Sequence, residues 1–198
     1  MGSHHDTVGI RTGMWLFLYT EIMLFGGLFV LYAAYYRIHA ETFIATGQEL
    51  DTVLGCANTV ILLVSSFLVA ASVTAVRRRQ TKVAMAFLAG AVLLGLIFLI
   101  NKYFEWGHKI HLGIYPGSPG LGESPPGRIV FYGLYFTVTG LHALHIVMGM
   151  VLLIVCIAMT GLGRIRKERF LLLENCGLYW HLVDLIWIFI FPLFYLIL

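Results

Sequence analysis

Residues 83–103 read VAMAFLAGAVLLGLIFLINKY, and the fold is decided there. The run is apolar almost throughout and lacks the strict alternation of a membrane β-strand. At 1.5 Å of rise per residue, about 20 helical residues cross a hydrocarbon core of roughly 30 Å. Working outward, residues 13–36, 52–76, 129–161 and 171–198 form four more runs of sufficient length. The fold class expected is therefore all-α: one transmembrane domain over residues 1–198, an integral bundle of five membrane-spanning helices. The composition agrees, with 60% hydrophobic and 12% charged residues and a mean hydropathy of +0.88. Water-soluble domains carry about a quarter charged residues.

Charge sets the orientation. Arg77, Arg78, Arg79 and Lys82 lie between the second and third spans, and Arg164, Arg166, Lys167 and Arg169 between the fourth and fifth. Two spans separate these loops, so they share one side. On the opposite side, residues 37–51 set Arg37 against Glu41, Glu49 and Asp51. The positive-inside rule then puts the N-terminus in the cytoplasm and the C-terminus outside. A net charge of +3 gives no support to a nucleic-acid partner. The long connection over residues 113–127 is dense in Pro and Gly and predicts no further helix. Cys56, Cys156 and Cys176 form no Cys-x-x-Cys pair and read as packing residues.

Ionisable groups within the bilayer are costly and each needs a reason. Glu21 lies in the first span, His142 and His145 in the fourth, His181 and Asp184 in the fifth. Glu174 stands near the start of the fifth span, and Glu105 and His108 at the far end of the third. Three-residue spacing places each pair, His142 with His145 and His181 with Asp184, on one helix face. Three readings fit: a buried metal centre, a proton relay, or hydrogen-bonded pairs that lock helices together. The metal reading lacks both the helical Glu-x-x-His and the His-Glu-x-x-His spacing. In the packing reading the fourth-span histidines meet acids on the fifth or first span, with Glu174 the leading partner. Asn58, Thr59, Ser65, Ser66, Ser72 and Thr74 in the second span, and Gly133, Thr137 and Gly140 in the fourth, predict close helix approach. Tyr35, Tyr36, Tyr103, Trp106 and Tyr179 suit an interfacial aromatic belt, whereas Trp180 and Trp187 read as packing anchors.

These residues also carry a family pattern. Residues 15–25, WLFLYTEIMLF, are followed by Arg37; residues 58–66 read NTVILLVSS; Glu105 and Trp106 form an acid–aromatic pair. Phe131 and Tyr132 precede TGLHALH at residues 139–145, and Glu174 precedes YWHLVDLIW at residues 179–187. In this order they resemble subunit III of haem-copper respiratory oxidases over nearly the whole chain. The resemblance implies a non-catalytic subunit with no catalytic residue and no metal of its own. Haem and copper would belong to partner subunits, with subunit I the main contact and subunit II in the same complex. It further implies structural phospholipid in a cleft, support of sustained turnover and proton uptake, and a bacterial inner (cytoplasmic) membrane location. Glu21 would match the family's carbodiimide-reactive glutamate facing that cleft. The sequence starts at what is the third helix of seven-helix members, as in shortened bacterial forms. A cytochrome c oxidase is the first expectation. A quinol oxidase or a nitric-oxide-reductase accessory subunit is the alternative, and a stand-alone transporter or metalloenzyme the reading from a different class. Arg164 and Arg166, at the cytoplasmic end of the fourth span, are the candidate cations for an anionic phospholipid.

Overall fold

The computed structural model describes residues 7–166 and 170–197. Lys167 and Arg169 of the second basic loop lie outside the described residues. Among the described residues seven helices follow one another: α1 Thr7–Ile38, α2 Ala40–Gly47, α3 Thr52–Arg77, α4 Thr81–His111, α5 Pro119–Gly122, α6 Pro126–Gly161 and α7 Leu171–Tyr195. Five of them, α1, α3, α4, α6 and α7, are long and apolar enough to cross a membrane. They coincide with the five expected runs, although α4 continues to His111 and α6 begins at Pro126.

Two short helices correct the sequence reading. The connection over residues 113–127 contains the single turn α5, because Ser118 Oγ accepts the Leu121 amide at 3.3 Å and a proline opens the turn. There the missing proline donor costs nothing. Helix α2 occupies a connection read as loop; Phe43 is fully buried against Phe131 at 5.3 Å, which fixes the helix on the bundle.

Each long helix shows why it sits where it does. On α1, positions 11, 14, 18, 21, 25, 28, 32 and 35 alternate three- and four-residue steps, the spacing of a coiled-coil seam. Leu18, Phe25 and Tyr32 on that seam are buried while most of the rest of α1 is exposed. The helix is thus a peripheral rod held along one edge. Helix α7 lies at the other extreme, with Trp180, Val183, Trp187, Ile190 and Phe194 almost wholly enclosed. Helices α3 and α4 join through Arg79, whose φ of 61° lies in the left-handed region, with Gln80 N bonded to Ala75 O at 2.9 Å.

Small polar residues pack the bundle, since lipid provides no hydrophobic force between helices. Ser65 Oγ donates to Ala91 O at 3.0 Å and accepts from Trp180 Nε1 at 3.1 Å, so one hydroxyl ties α3, α4 and α7. Asn58, Ser65 and Ser72 are fully buried, as that face of α3 predicts. The α6 stripe is a correction. A Cβ added at Gly133 or Gly140 would meet nothing within 4 Å, and Thr137 is exposed, so this stripe faces away from the other helices. Close approach on α6 occurs instead at Gly149, where a Cβ would stand 2.7 Å from the Trp180 ring. Because that indole is rigid and pinned by Ser65, Gly149→Ala is expected to destabilise the bundle by about 1–3 kcal/mol through overpacking. A lower melting temperature of the detergent-solubilised protein checks this, with Gly133→Ala as the silent control.

Candidate functional site

The polar side chains form separate clusters along the bundle. The first joins α1 to α6. His145 Nε2 lies 2.8 Å from Glu21 Oε2, and His145 Nδ1 lies 2.7 Å from Leu141 O. A carbonyl only accepts, so Nδ1 carries a proton. The Nε2–Oε2 contact then holds one further proton, as imidazolium against carboxylate or as carboxylic acid against neutral imidazole. Phe25 packs edge-on to the imidazole at 5.3 Å, and Tyr179 donates to His145 O at 3.3 Å. Tyr179 is buried, so its hydroxyl serves this cluster and not the interfacial belt.

Glu174 is not the partner of either fourth-span histidine. Its carboxylate takes Arg11 at 3.3 Å and Arg77 at 3.1 Å, tying the ends of α1, α3 and α7. The reason is reach: Glu174 sits in the first turn of α7, among the arginines at that end of the bundle. His142 follows neither expectation. It is fully buried between Phe98 (ring centroids 5.6 Å) and Trp187 (5.3 Å), and neither ring nitrogen has a hydrogen-bond partner among the described residues. On α7, His181 Nδ1 meets Ser66 Oγ at 2.6 Å, and Asp184 is buried three residues on. Asn58 Oδ1 accepts from Asn101 Nδ2 at 2.8 Å. Among the described residues, no three His, Cys, Asp or Glu side chains converge as a metal-binding group would.

The largest cluster centres on Glu105. Its Oε1 accepts from Tyr135 at 2.7 Å and Tyr195 at 2.5 Å, and its Oε2 from Lys102 Nζ at 3.0 Å. The Lys102 ammonium also bonds the Tyr195 hydroxyl and lies 4.9 Å from the Trp187 ring centroid. One layer further out, Glu49 Oε2 accepts from Tyr132 at 2.7 Å and Arg128 at 3.0 Å, and Lys109 Nζ donates to Glu49 O at 2.9 Å. His108, expected beside Glu105, lines the hollow next to this layer.

Lys102, Lys109, Asn101, Tyr195 and Arg11 escaped the sequence reading, and Glu49 entered it only as a loop charge. A periodic signal was available for the two lysines. Leu88, Ala91, Gly95, Phe98, Lys102, Glu105 and Lys109 form one buried stripe of α4 in steps of three and four. Ending the span at residue 103 cut the stripe off before Glu105 and Lys109, and left Lys102, inside the span, without its neighbours on that face.

Two hollows flank α1. One, of about 580 Å³, is walled by Met14, Phe17, Val147, Val151, Leu152 and Tyr179 among others. The other, of about 280 Å³, shares Met14 and Asn175 with it and adds Arg11 and Glu174. Arg164 and Arg166 are exposed and line neither; Arg166 Nε turns back to Gly163 O.

Residues 1–197 match the family Cytochrome c oxidase subunit III. The chain is 32% identical to the cytochrome bo(3) ubiquinol oxidase subunit 3 of Pseudomonas aeruginosa, over 97% of this chain and 87% of that one. It is 28% identical to the cytochrome c oxidase subunit 3 of a Synechocystis species, over 98% and 78%. It is 28% identical to the heme-copper oxidase subunit I+III of Aeropyrum pernix over 95% of its own length, but spans only 23% of that longer protein. By this match along its whole length, the chain belongs to the cytochrome c oxidase subunit III family.

Proposed function

We propose that the chain is a structural third subunit of a haem-copper oxidase in a bacterial inner membrane, with subunit I its main contact and subunit II in the same complex. Its N-terminus faces the cytoplasm and its C-terminus the outside. It carries no haem or copper itself; those belong to the partner subunits. The observation that carries the reading is the family match over residues 1–197. The disposition of the polar groups supports it, since Glu21–His145, Ser66–His181 and Asn58–Asn101 each join two helices. Purification of the chain from membranes in mild detergent tests it. A haem- and copper-bearing subunit is expected to co-purify in stoichiometric amount, and recovery of the chain alone with an activity of its own would overturn the reading.

The second part of the reading is lipid. The apolar hollow beside α1 fits acyl chain, and the smaller hollow continues from it to Arg11, whose side chain is 62% exposed. Arg11, on the wall of that hollow, joins Arg164 and Arg166 as a candidate cation for an anionic phosphate and is the one we favour. Arg11→Gln is expected to lower the phospholipid retained by the purified complex, whereas the Arg164→Gln, Arg166→Gln double variant leaves it unchanged. Phosphorus analysis of the washed complex measures both.

A further inference from the structure

The Glu105 cluster meets an open hollow. At the α2–α3 end of the bundle a cavity of about 700 Å³ is lined by Glu49, Asp51, His108, Lys109 and Arg128, and Glu105 itself lies on its wall. A liquid water occupies ~30 Å³, so the space admits ten or more. Arg128 Nε, on the same wall, is buried and has no protein partner among the described residues. Water is the usual partner of such an atom. A carboxylate whose ion pair is otherwise enclosed, with Lys102 at 2% and Glu105 at 5% side-chain exposure, thus touches on one edge an open vestibule whose polar groups stand among Leu50, Leu54, Phe104, Leu112 and Ile114.

The geometry points to the Lys102–Glu105 pair as a proton-exchange site served by vestibule water from the aqueous phase on that side of the membrane. Within the cluster, a proton crosses 3.0 Å from Lys102 Nζ to Glu105 Oε2 and leaves a neutral amine beside a neutral acid. A second proton enters from vestibule water at Glu105, the member of the pair on the wall, as the first returns to Lys102 Nζ and restores the ammonium, so the cluster as a whole gains one proton; the reverse steps return it to the same phase. Tyr135 and Tyr195 donate to Oε1 in both states and keep the carboxyl in place.

Two features favour exchange over a static lock. A lock between helices has no need of charge, since apolar residues of similar volume replace a buried ion pair at little or no loss of stability. A low-dielectric site also brings the charged and neutral forms of such a pair closer in energy, because separated charges lose solvation there. Among the described residues, the titratable and charged groups around the pair are Tyr132, Tyr135, His142 and Arg128 on α6, Tyr195 on α7, Lys109 and His108 on α4, and Glu49 and Asp51 between α2 and α3.

Two measurements on the intact purified complex test the inference together. Hydroxyl-radical footprinting reads hydration. Tyr132, whose hydroxyl bonds Glu49 and Lys109 on the vestibule wall, is expected to oxidise measurably, while Trp180, packed between Gly95 and Gly149, stays unmodified. Infrared difference spectroscopy reads protonation. A carboxyl C=O band is expected to grow when the bathing pH is stepped down and to shift in D2O. Glu105→Gln removes that band. Glu105→Asp, which keeps the charge should the glutamine variant fail to assemble, displaces it. A Tyr132 as unreactive as Trp180 would overturn the proposal by showing a dry vestibule. Hydration without a pH-responsive band that follows residue 105 would overturn it equally, by showing a wet but static one.

Discussion

Glu105→Ala is expected to be the most damaging single substitution in the chain. It strips the Lys102 ammonium of its carboxylate while Lys102 remains enclosed by Tyr135, Trp187 and Tyr195. Removing one partner of a buried ion pair costs about 3–5 kcal/mol, because the survivor stays desolvated without its counter-charge. The Tyr135 and Tyr195 hydroxyls lose their acceptor at the same time. Aromatic faces around Lys102 return part of this loss, at about 2 kcal/mol or less per cation–π contact. The expected readout is a large fall in subunit retained on detergent extraction, with a lowered melting temperature in what remains. The double variant Lys102→Met, Glu105→Gln removes both charges and leaves an amide oxygen to accept from the tyrosines. It is expected to recover most of the loss. A double variant as unstable as the single one would show that the charge pair is not what fixes this end of α4.

How far the sequence reaches can be seen on α4 and α1. The five spans were legible because lipid imposes length and hydropathy directly on the chain. The partners were harder to read, because pairing depends on which helices adjoin. Glu174 and Glu21 are both acids on helices expected to carry a partner for His145, and only the packing of α1 against α6 selects Glu21 at 2.8 Å. The α1 seam did hold that answer: Glu21 lies between Leu18 and Phe25 in the three–four spacing, so it must face the bundle. The Gly133–Gly140 stripe misled for the converse reason. Small residues permit close approach without specifying the helix that approaches, and here the contact falls at Gly149. His142 had no legible role at all; its imidazole is placed by Phe98 and Trp187 from two other helices.

Glu21→Gln is expected to leave the complex assembled and close to normal in initial turnover, whereas Glu21→Ala loosens α1. The difference follows from the tautomer. With Nδ1 committed as a donor to Leu141 O, the neutral His145 ring presents Nε2 as an acceptor. A glutamine amide donates to it much as a carboxylic acid does, and the side chain is nearly isosteric. Alanine leaves Nε2 buried without a partner, a loss of about 1–3 kcal/mol, and opens a gap in the seam. Other polar ties of helix α1 include Arg11 to Glu174 at its start and Tyr32 to the Leu193 carbonyl near its end. The alanine variant should therefore show earlier detachment of α1, read as faster proteolysis in its flanking connection and as gradual loss of activity during turnover. Oxygen consumption and proton ejection measured side by side separate this account from an obligatory proton carrier at residue 21. A carrier role requires a group that releases its proton, which an amide does not. Pumping that collapses in Glu21→Gln while subunit stoichiometry stays intact would overturn the structural assignment; pumping that survives in Glu21→Gln and fades slowly in Glu21→Ala is the outcome the Glu21–His145 geometry requires.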